Sequence, residues 1–303
     1  MLKRNLVFYR WASVAGRNEF EPSEVAERLA QEIIADRDHQ MVKKDGVITA
    51  VEVVDSGGGR EPVKFRVLAL RGVEDRPFKW DPTASIGPLS LLANEYPADA
   101  THVAIWPDGY CAHDMGKHSP RLSRLSFFLR QRMLSYVHFS PLYNEDVFRK
   151  LEEMKGQLRS FDLAMTKPEY ATRDRGTFGK LWPAVVGEEL PSVRVSMGMG
   201  RYGPKNRYID QDLEDELLDL AANASDLLTG MVVRGRNKRT GRVEQVNLLT
   251  ERLSTQVELP HRADIPSAPR VESVFHELDQ AYKDFKQRDV FEATSTAELM
   301  HKP

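Results

Sequence analysis

The 303-residue chain contains a single cysteine, Cys111, which excludes an internal disulfide and a zinc site built mainly from thiolates. No apolar run approaches the length that a bilayer-spanning helix requires. Neither a G-x-x-x-x-G-K-[ST] phosphate loop nor a G-x-S-x-G nucleophile elbow occurs, so neither P-loop chemistry nor Ser-His-Asp hydrolysis has a motif to stand on. Internal repeats and low-complexity tracts are also absent. The opening MLKRNLVFYRWASV has a basic start, but Arg10 and Arg17 interrupt the apolar stretch before a signal-peptide core forms, so it reads as a first strand. The expectation is a soluble protein of the reducing cytoplasm.

What the chain does have is charge sorted by position. The net charge of −2 conceals 17 basic against 9 acidic residues between 117 and 207, then no basic and 7 acidic residues between 208 and 229. Residues 230–262 follow with 7 basic against 3 acidic. Like charges gathered in one segment repel, and an anionic partner relieves that repulsion, so the two basic segments are candidate anion-binding surfaces. The bland alternative is that they are neutralised inside the fold by the acidic 210–219 segment.

Periodicity places the elements. Alternation predicts strands over Leu6–Trp11, Ile48–Val54 and Val63–Leu70, the last with Val63, Phe65 and Val67 on one face and Lys64 and Arg66 on the other, as in a half-solvated sheet. Pro22 opens a helix with Val25, Leu29, Ala30 and Ile33 inward. Gly57, Gly58 and Gly59 turn one hairpin, and Pro107, Asp108 and Gly109 another between His102–Trp106 and Tyr110–His113. A helix over 120–134 carries Leu122, Leu125, Leu129 and Met133 as its core stripe and Arg121, Arg124 and Arg132 beside it. A short strand over Val137–Ser140 and a helix from Asn144 or Glu145 to Lys155, ended by Gly156, come next.

Further strands are expected over Leu158–Met165 and Ser192–Met199. Asp210 should cap a helix with Leu213, Leu217, Leu220 and Ala221 inward and Asp212, Glu214, Asp215, Glu216 and Asp219 largely outward. Strands Met231–Arg234 and Val243–Leu249 are joined by RGRNKRTGR, residues 234–242. Pro260, Pro266 and Pro269 mark a stiff linker to a last helix carrying Val274, Leu278, Ala281, Tyr282 and Phe285 on one face.

Four patterns bear on chemistry. Gly198, Gly200 and Gly203 form a G-x-G-x-x-G, but Pro204, Lys205, Asn206, Arg207 and Tyr208 intervene before the cap at Asp210 and no alternating strand–helix run surrounds it, which argues against a dinucleotide fold. The same glycines, next to Arg201, Lys205 and Arg207, suit a backbone clamp on phosphate. His102, Cys111, His113, Asp114 and His118 supply zinc-type ligands within seventeen residues, although neighbouring strand residues point apart. Asp108 with Glu153-x-Lys155 resembles a metal-dependent nuclease set, which requires these groups on one hairpin. Finally, Arg236, Lys238, Arg239 and Arg242 crowd one hairpin tip.

The order of elements resembles the RexA family of phage-exclusion proteins. The resembling parts are the opening FYR strand; the stretch from Ile105 to Leu129 with PDGYCAHDMGKHSPRLSRLSFFL; Ser140 to Met165 with SPL and EDVF; Val193 to Leu220; the hairpin at Met231 to Leu249; and the proline linker before the last helix. The resemblance implies a dimeric α/β protein that binds double-stranded DNA without marked sequence preference and signals to a membrane-protein effector. It brings no catalytic residue. The chain departs from it around Gly57 to Trp80 and in its acidic 210–219 helix.

Together these readings lead to an α+β fold of mixed, mainly antiparallel sheets with packed helices and two subdomains. The expected divisions are 1–165, 166–259 with the basic hairpin, and 260–303. The expected function is a sequence-nonspecific double-stranded DNA-binding sensor of antiphage defence, a homodimer without cofactor or catalytic residue. Phosphate contacts are assigned to Arg121, Arg124, Arg132, Arg201, Lys205, Arg207, Arg236, Lys238, Arg239 and Arg242. A metal-dependent nuclease and a protein-interaction module without DNA binding are the alternatives.

Overall fold

The computed structural model describes residues 1–13, 22–44, 47–59, 61–70, 78–81, 84–88, 97–116, 119–134, 137–166, 192–199, 207–223, 228–248, 252–262 and 268–293. The fold is α+β, with antiparallel sheets and packed helices. Two compact units are present. One comprises Met1–Leu6, Trp11–His138 and Thr255–Ala281, the other Val7–Arg10, Phe139–Ser254 and Tyr282–Pro303. The expected division after residue 165 falls inside a strand, Leu158–Thr166, that lies wholly in the second unit.

The first unit is built on a sheet whose strands run in the order β14 (Ser254–Leu259), β1 (Leu2–Ser13), β8 (Tyr110–Met115), β7 (Ala98–Ile105), β4 (Val63–Leu70), β3 (Val47–Asp55) and β2 (Met41–Lys44). The pairs β2–β3, β3–β4, β4–β7 and β7–β8 are antiparallel. Gly109, at φ +84°, makes the β7–β8 turn that Pro-Asp-Gly predicts. Val63, Phe65 and Val67 are buried as their alternation requires. Helices α1 (Pro22–Ala35) and α2 (Leu122–Met133) pack on β3 and β4. They bury Val25, Leu29, Ile33, Leu125 and Phe128.

The face that carries Lys64 is not solvated, contrary to the half-solvated expectation. Helix α5 (Val271–Gln287) supplies Asp279, which accepts from Lys64 Nζ at 2.7 Å, and Phe275, which meets the His102 ring edge-on at a centroid distance of 5.6 Å. Strands β5 (Phe78–Asp81) and β6 (Ala84–Pro88) form a separate two-stranded ribbon.

The second unit contains the end of β9 (Val137–Pro141) from Phe139 onward, helix α3 (Glu145–Met154) and a four-stranded sheet. The sheet order is β11 (Ser192–Gly198), β10 (Leu158–Thr166), β12 (Leu228–Arg236), β13 (Val243–Asn247), and all three pairings are antiparallel. Helix α4 (Gln211–Asn223) starts where Asp210 Oδ1 accepts from the Asp212 N–H at 3.0 Å, the cap read from the sequence. One sheet face buries Phe161, Leu163, Met231, Val233 and Val246 against Val147 and Met154 of α3 and Leu217 of α4. Phe8 packs edge-on to Phe285 at 5.0 Å and near Phe291 of a short helix α6 (Val290–Ala293) at 5.8 Å.

Candidate nucleic-acid interface

The β12–β13 hairpin is a strongly cationic surface feature of the second unit, with Arg234, Arg236, Lys238, Arg239 and Arg242 exposed. Its register pairs Val232 with Asn247, Arg234 with Gln245 and Arg236 with Val243. In an antiparallel ladder directly opposed residues share a face, so Arg234 and Arg236 project from the side away from the core. Burial follows the same period, with Met231, Val233, Gly235 and Asn237 buried and Arg234, Arg236 and Lys238 exposed.

The turn of the hairpin is held from beneath by Asn237, which is 1% exposed. Its side-chain oxygen accepts from the Arg239 and Thr240 N–H groups at 2.8 and 3.0 Å, while its amide donates to Glu153 Oε2 on α3. The Lys238 N–H donates to the Glu153 carbonyl at 2.8 Å, and the Arg236 N–H to the Gln157 carbonyl at 3.0 Å. Gly241, at φ +69°, closes the turn, and its carbonyl accepts from Arg236 Nε at 3.0 Å. A short basic loop that would otherwise sample many conformations is thereby fixed to the end of a helix before any ligand arrives.

Charge at the tip is only partly compensated. Arg239 Nε stands 3.2 Å from Glu153 Oε1, with the arginine 68% exposed and the carboxylate 20% exposed. Arg236, Lys238 and Arg242 form no ion pair among the described residues. Beneath the tip, Glu214 of α4 is buried rather than outward as its sequence position implies, because Gly156, at φ +69°, turns its N–H onto both carboxylate oxygens at 3.1 and 3.0 Å. Burial pushes the Glu214 carboxyl above its ordinary range and Asp215 adds to this, while the Gly156 N–H and the charges of Lys155 and Lys238 oppose it.

Beyond the hairpin, the same sheet face continues over β10 and β11 in straight rows. Ser196, Asp162, Val232 and Asn247 lie in one row, and Gly198, Ser160, Arg234 and Gln245 in the next. Arg194 holds Asp162 in a fork of two bonds, Nε to Oδ1 at 2.8 Å and an Nη to Oδ2 at 2.7 Å. Those bonds, with the Ser196 hydroxyl and the charges of Arg194 and Arg234, keep the Asp162 carboxyl below its usual range despite slight desolvation.

The other expected contacts fare differently. Arg124 donates to the Ile48 carbonyl at 3.2 Å and to Thr49 Oγ1 at 3.3 Å, and Arg132 donates to the carbonyls of Asp38 at 2.9 Å and Met41. Arg121 is the half-buried residue that precedes α2. All three belong to the first unit, and the backbone carbonyls that Arg124 and Arg132 meet there are not revealed by a sequence pattern. Arg207 is exposed just before α4, while Arg201 and Lys205 lie outside the described residues, as do Gly200 and Gly203 of the glycine-rich motif. Arg234, Asn237 and Glu153 were missed as contributors to this surface. Period-two alternation from the buried Val233 marks Arg234, but nothing in the sequence marks Asn237 as the buried support of the turn.

The metal and nuclease patterns resolve into structural contacts. His102 and Asp114 are opposed across β7–β8 and buried, and Asp114 Oδ1 accepts from the His102 backbone N–H at 2.6 Å and lies 3.1 Å from His102 Nδ1. Thr101 Oγ1 donates to the Asp114 carbonyl at 2.7 Å and lies 3.2 Å from His113 Nδ1. Burial pushes the Cys111 thiol well up, away from the thiolate form. Among the described residues no group of three or more His, Cys, Asp and Glu side chains is placed to hold one ion, and His118 lies outside them. Glu153 and Lys155 sit on α3 and its end, not on a hairpin, and the Glu153 carboxylate is engaged by Asn237 and Arg239.

Among the described residues no helix is long and apolar enough to cross a membrane. The chain matches no protein-family model and no curated protein.

Proposed function

We propose that this protein binds double-stranded DNA without sequence preference, through a basic hairpin that contacts backbone phosphates. The observation that carries the reading is the pre-formed tip, where Arg236, Lys238, Arg239 and Arg242 are exposed on a turn fixed by Asn237 and Glu153. Guanidinium and ammonium groups on a rigid support suit phosphate oxygens, and phosphate contacts carry no base information. The hairpin has Asn237 as its one amide between Arg236 and Arg242, and that amide is buried in the turn, so adenine readout has no side chain to use it.

The resemblance to the RexA family supports a wider reading of the same activity. In that reading the chain is a cytoplasmic homodimeric sensor of antiphage defence that reports to a membrane-protein effector. DNA binding is the step of it that can be tested with the purified chain. Fluorescence anisotropy on unrelated duplexes, titrated with salt in the absence of divalent metal, should give similar affinities for every sequence. Replacing Arg236, Lys238, Arg239 and Arg242 with Gln should flatten the log–log salt slope by about 3.6, four contacts at about 0.9 each. Binding that survives in the quadruple variant with an unchanged slope overturns the assignment to the hairpin.

A further inference from the structure

The core face of the β11-β10-β12-β13 sheet packs against α3 and α4, but the opposite face is open among the described residues. Arg194, Ser196, Gly198, Arg234 and Gln245 are exposed on it, and Ser160, Asp162 and Val232 half-buried. At the Gly198–Ser160 pair of β11 and β10 the strands leave no room for a larger side chain: a Cβ on Gly198 would stand 2.9 Å from Ser160 Cβ.

Its charge is of one effective sign. Asp162 is the acidic residue of the central rows, and the Arg194 fork neutralises it. Arg234 and Arg236 hydrogen-bond neutral acceptors, Gln245 Oε1 at 2.8 Å and the Gly241 carbonyl at 3.0 Å. Two residues apart on one strand, they stand about 6.8 Å from each other along it. No aromatic residue occupies any register position on this face of β10–β13. Surfaces that hold single-stranded nucleic acid rely on aromatic rings to stack unpaired bases, and a face of small polar residues and arginines lacks that means of binding.

We propose that a nucleic-acid duplex lies across this open face, with Arg234 and Arg236 on its backbone phosphates and the hairpin tip at one end of the footprint. The proposal rests on the nucleic-acid reading above and extends it from the tip to the sheet.

The test uses the full-length chain, a duplex DNA, a duplex RNA and a single strand of equal length, and two single variants. Arg234→Gln should flatten the salt slope on duplex by about 0.9 without changing the melting temperature, since its partner Gln245 is neutral and exposed. Val243→Lys, which adds a cation at an apolar position 56% exposed opposite Arg236, should steepen the slope by a similar amount. The wild type should bind either duplex more tightly than the single strand. Slopes unchanged in both variants, while the quadruple hairpin variant loses binding, overturn the sheet footprint and leave the hairpin reading standing. Tighter binding to the single strand overturns the duplex assignment. No binding to any duplex at low salt removes the nucleic-acid reading itself.

Discussion

Asn237→Asp is the sharpest probe of how the hairpin is held. The substitution keeps the side-chain oxygen that accepts from Arg239 and Thr240, and its shape, but turns the amide donor toward Glu153 into a carboxylate. A hydrogen bond to a charged acceptor contributes about 1.5–3 kcal/mol, and that bond is lost. In its place two carboxylates meet where one side chain is 1% exposed and the other 20%. Two unit charges about 3.5 Å apart at an effective dielectric of about 20 repel by roughly 5 kcal/mol. The pair escapes part of this by binding a proton, which at pH 7 costs about 4 kcal/mol from an ordinary carboxylate pKa near 4. The variant should therefore be about 4 kcal/mol less stable than the wild type at pH 7.

The pH dependence gives the stronger test. In the folded variant the pair holds a proton to higher pH than the unfolded chain does, so stability is present below the ordinary carboxylate range. It is lost as pH rises, by up to about 1.4 kcal/mol per unit. Urea unfolding between pH 4 and 8 should show the gap to the wild type opening with pH. Asn237→Ala, which introduces no charge, should show a smaller gap of about 2 kcal/mol that stays nearly constant. An Asn237→Asp gap that does not change with pH, or a variant as stable as the wild type at pH 7, refutes the contact with Glu153.

Two further outcomes are expected. Burial, opposed by Arg252 and reinforced by Tyr9, holds the Tyr143 hydroxyl up to about 12, so the neutral phenol stabilises the fold below pH 10 and that contribution is lost on the way to pH 12. The loss amounts to roughly 2–3 kcal/mol in full, and alkaline unfolding should be shallower in Tyr143→Phe; equal slopes would count against it. Arg124→Ala should cost about 1–3 kcal/mol in urea unfolding by stripping donors from Ile48 and Thr49, and should leave the DNA salt slope as it was. A flattened slope would return α2 to the binding surface.

Local rules made much of the fold legible. Alternation located β3 and β4, the Pro-Asp-Gly turn placed β7 against β8, and a start at Asn144 or Glu145 with a stop at Gly156 delimited α3. Strand β14 escaped because S-T-Q-V-E-L carries too few apolar residues to alternate visibly. Arg124 and Arg132 looked like a basic flank because a helical wheel shows which side a residue takes. It does not show that backbone carbonyls 76 and 94 positions away, one in a strand and one in a helical turn, stand beside that side. Glu214 looked outward for the same reason, as its carboxylate is drawn in by a backbone N–H 58 residues distant. The cationic tip was readable because its residues are contiguous in sequence. Its support was not, since Asn237 and Glu153 are 84 residues apart.

Gly235 separates two demands that one strand has to meet. A side chain there would bring its Cβ to 3.0 Å from both Leu158 and Met154 and to 3.1 Å from the Gln157 carbonyl, so the strand passes the end of α3 closely and the position admits no substituent without displacement. The residues on either side, Arg234 and Arg236, point the other way and are exposed. Along this ribbon the constrained positions and the charged ones alternate without overlap. The electrostatic strength of the surface can therefore drift, one exposed residue at a time, while the geometry that presents it stays fixed. On the proposed reading, descendants of this chain are free to bind a polyanion more tightly or less tightly without first having to refold.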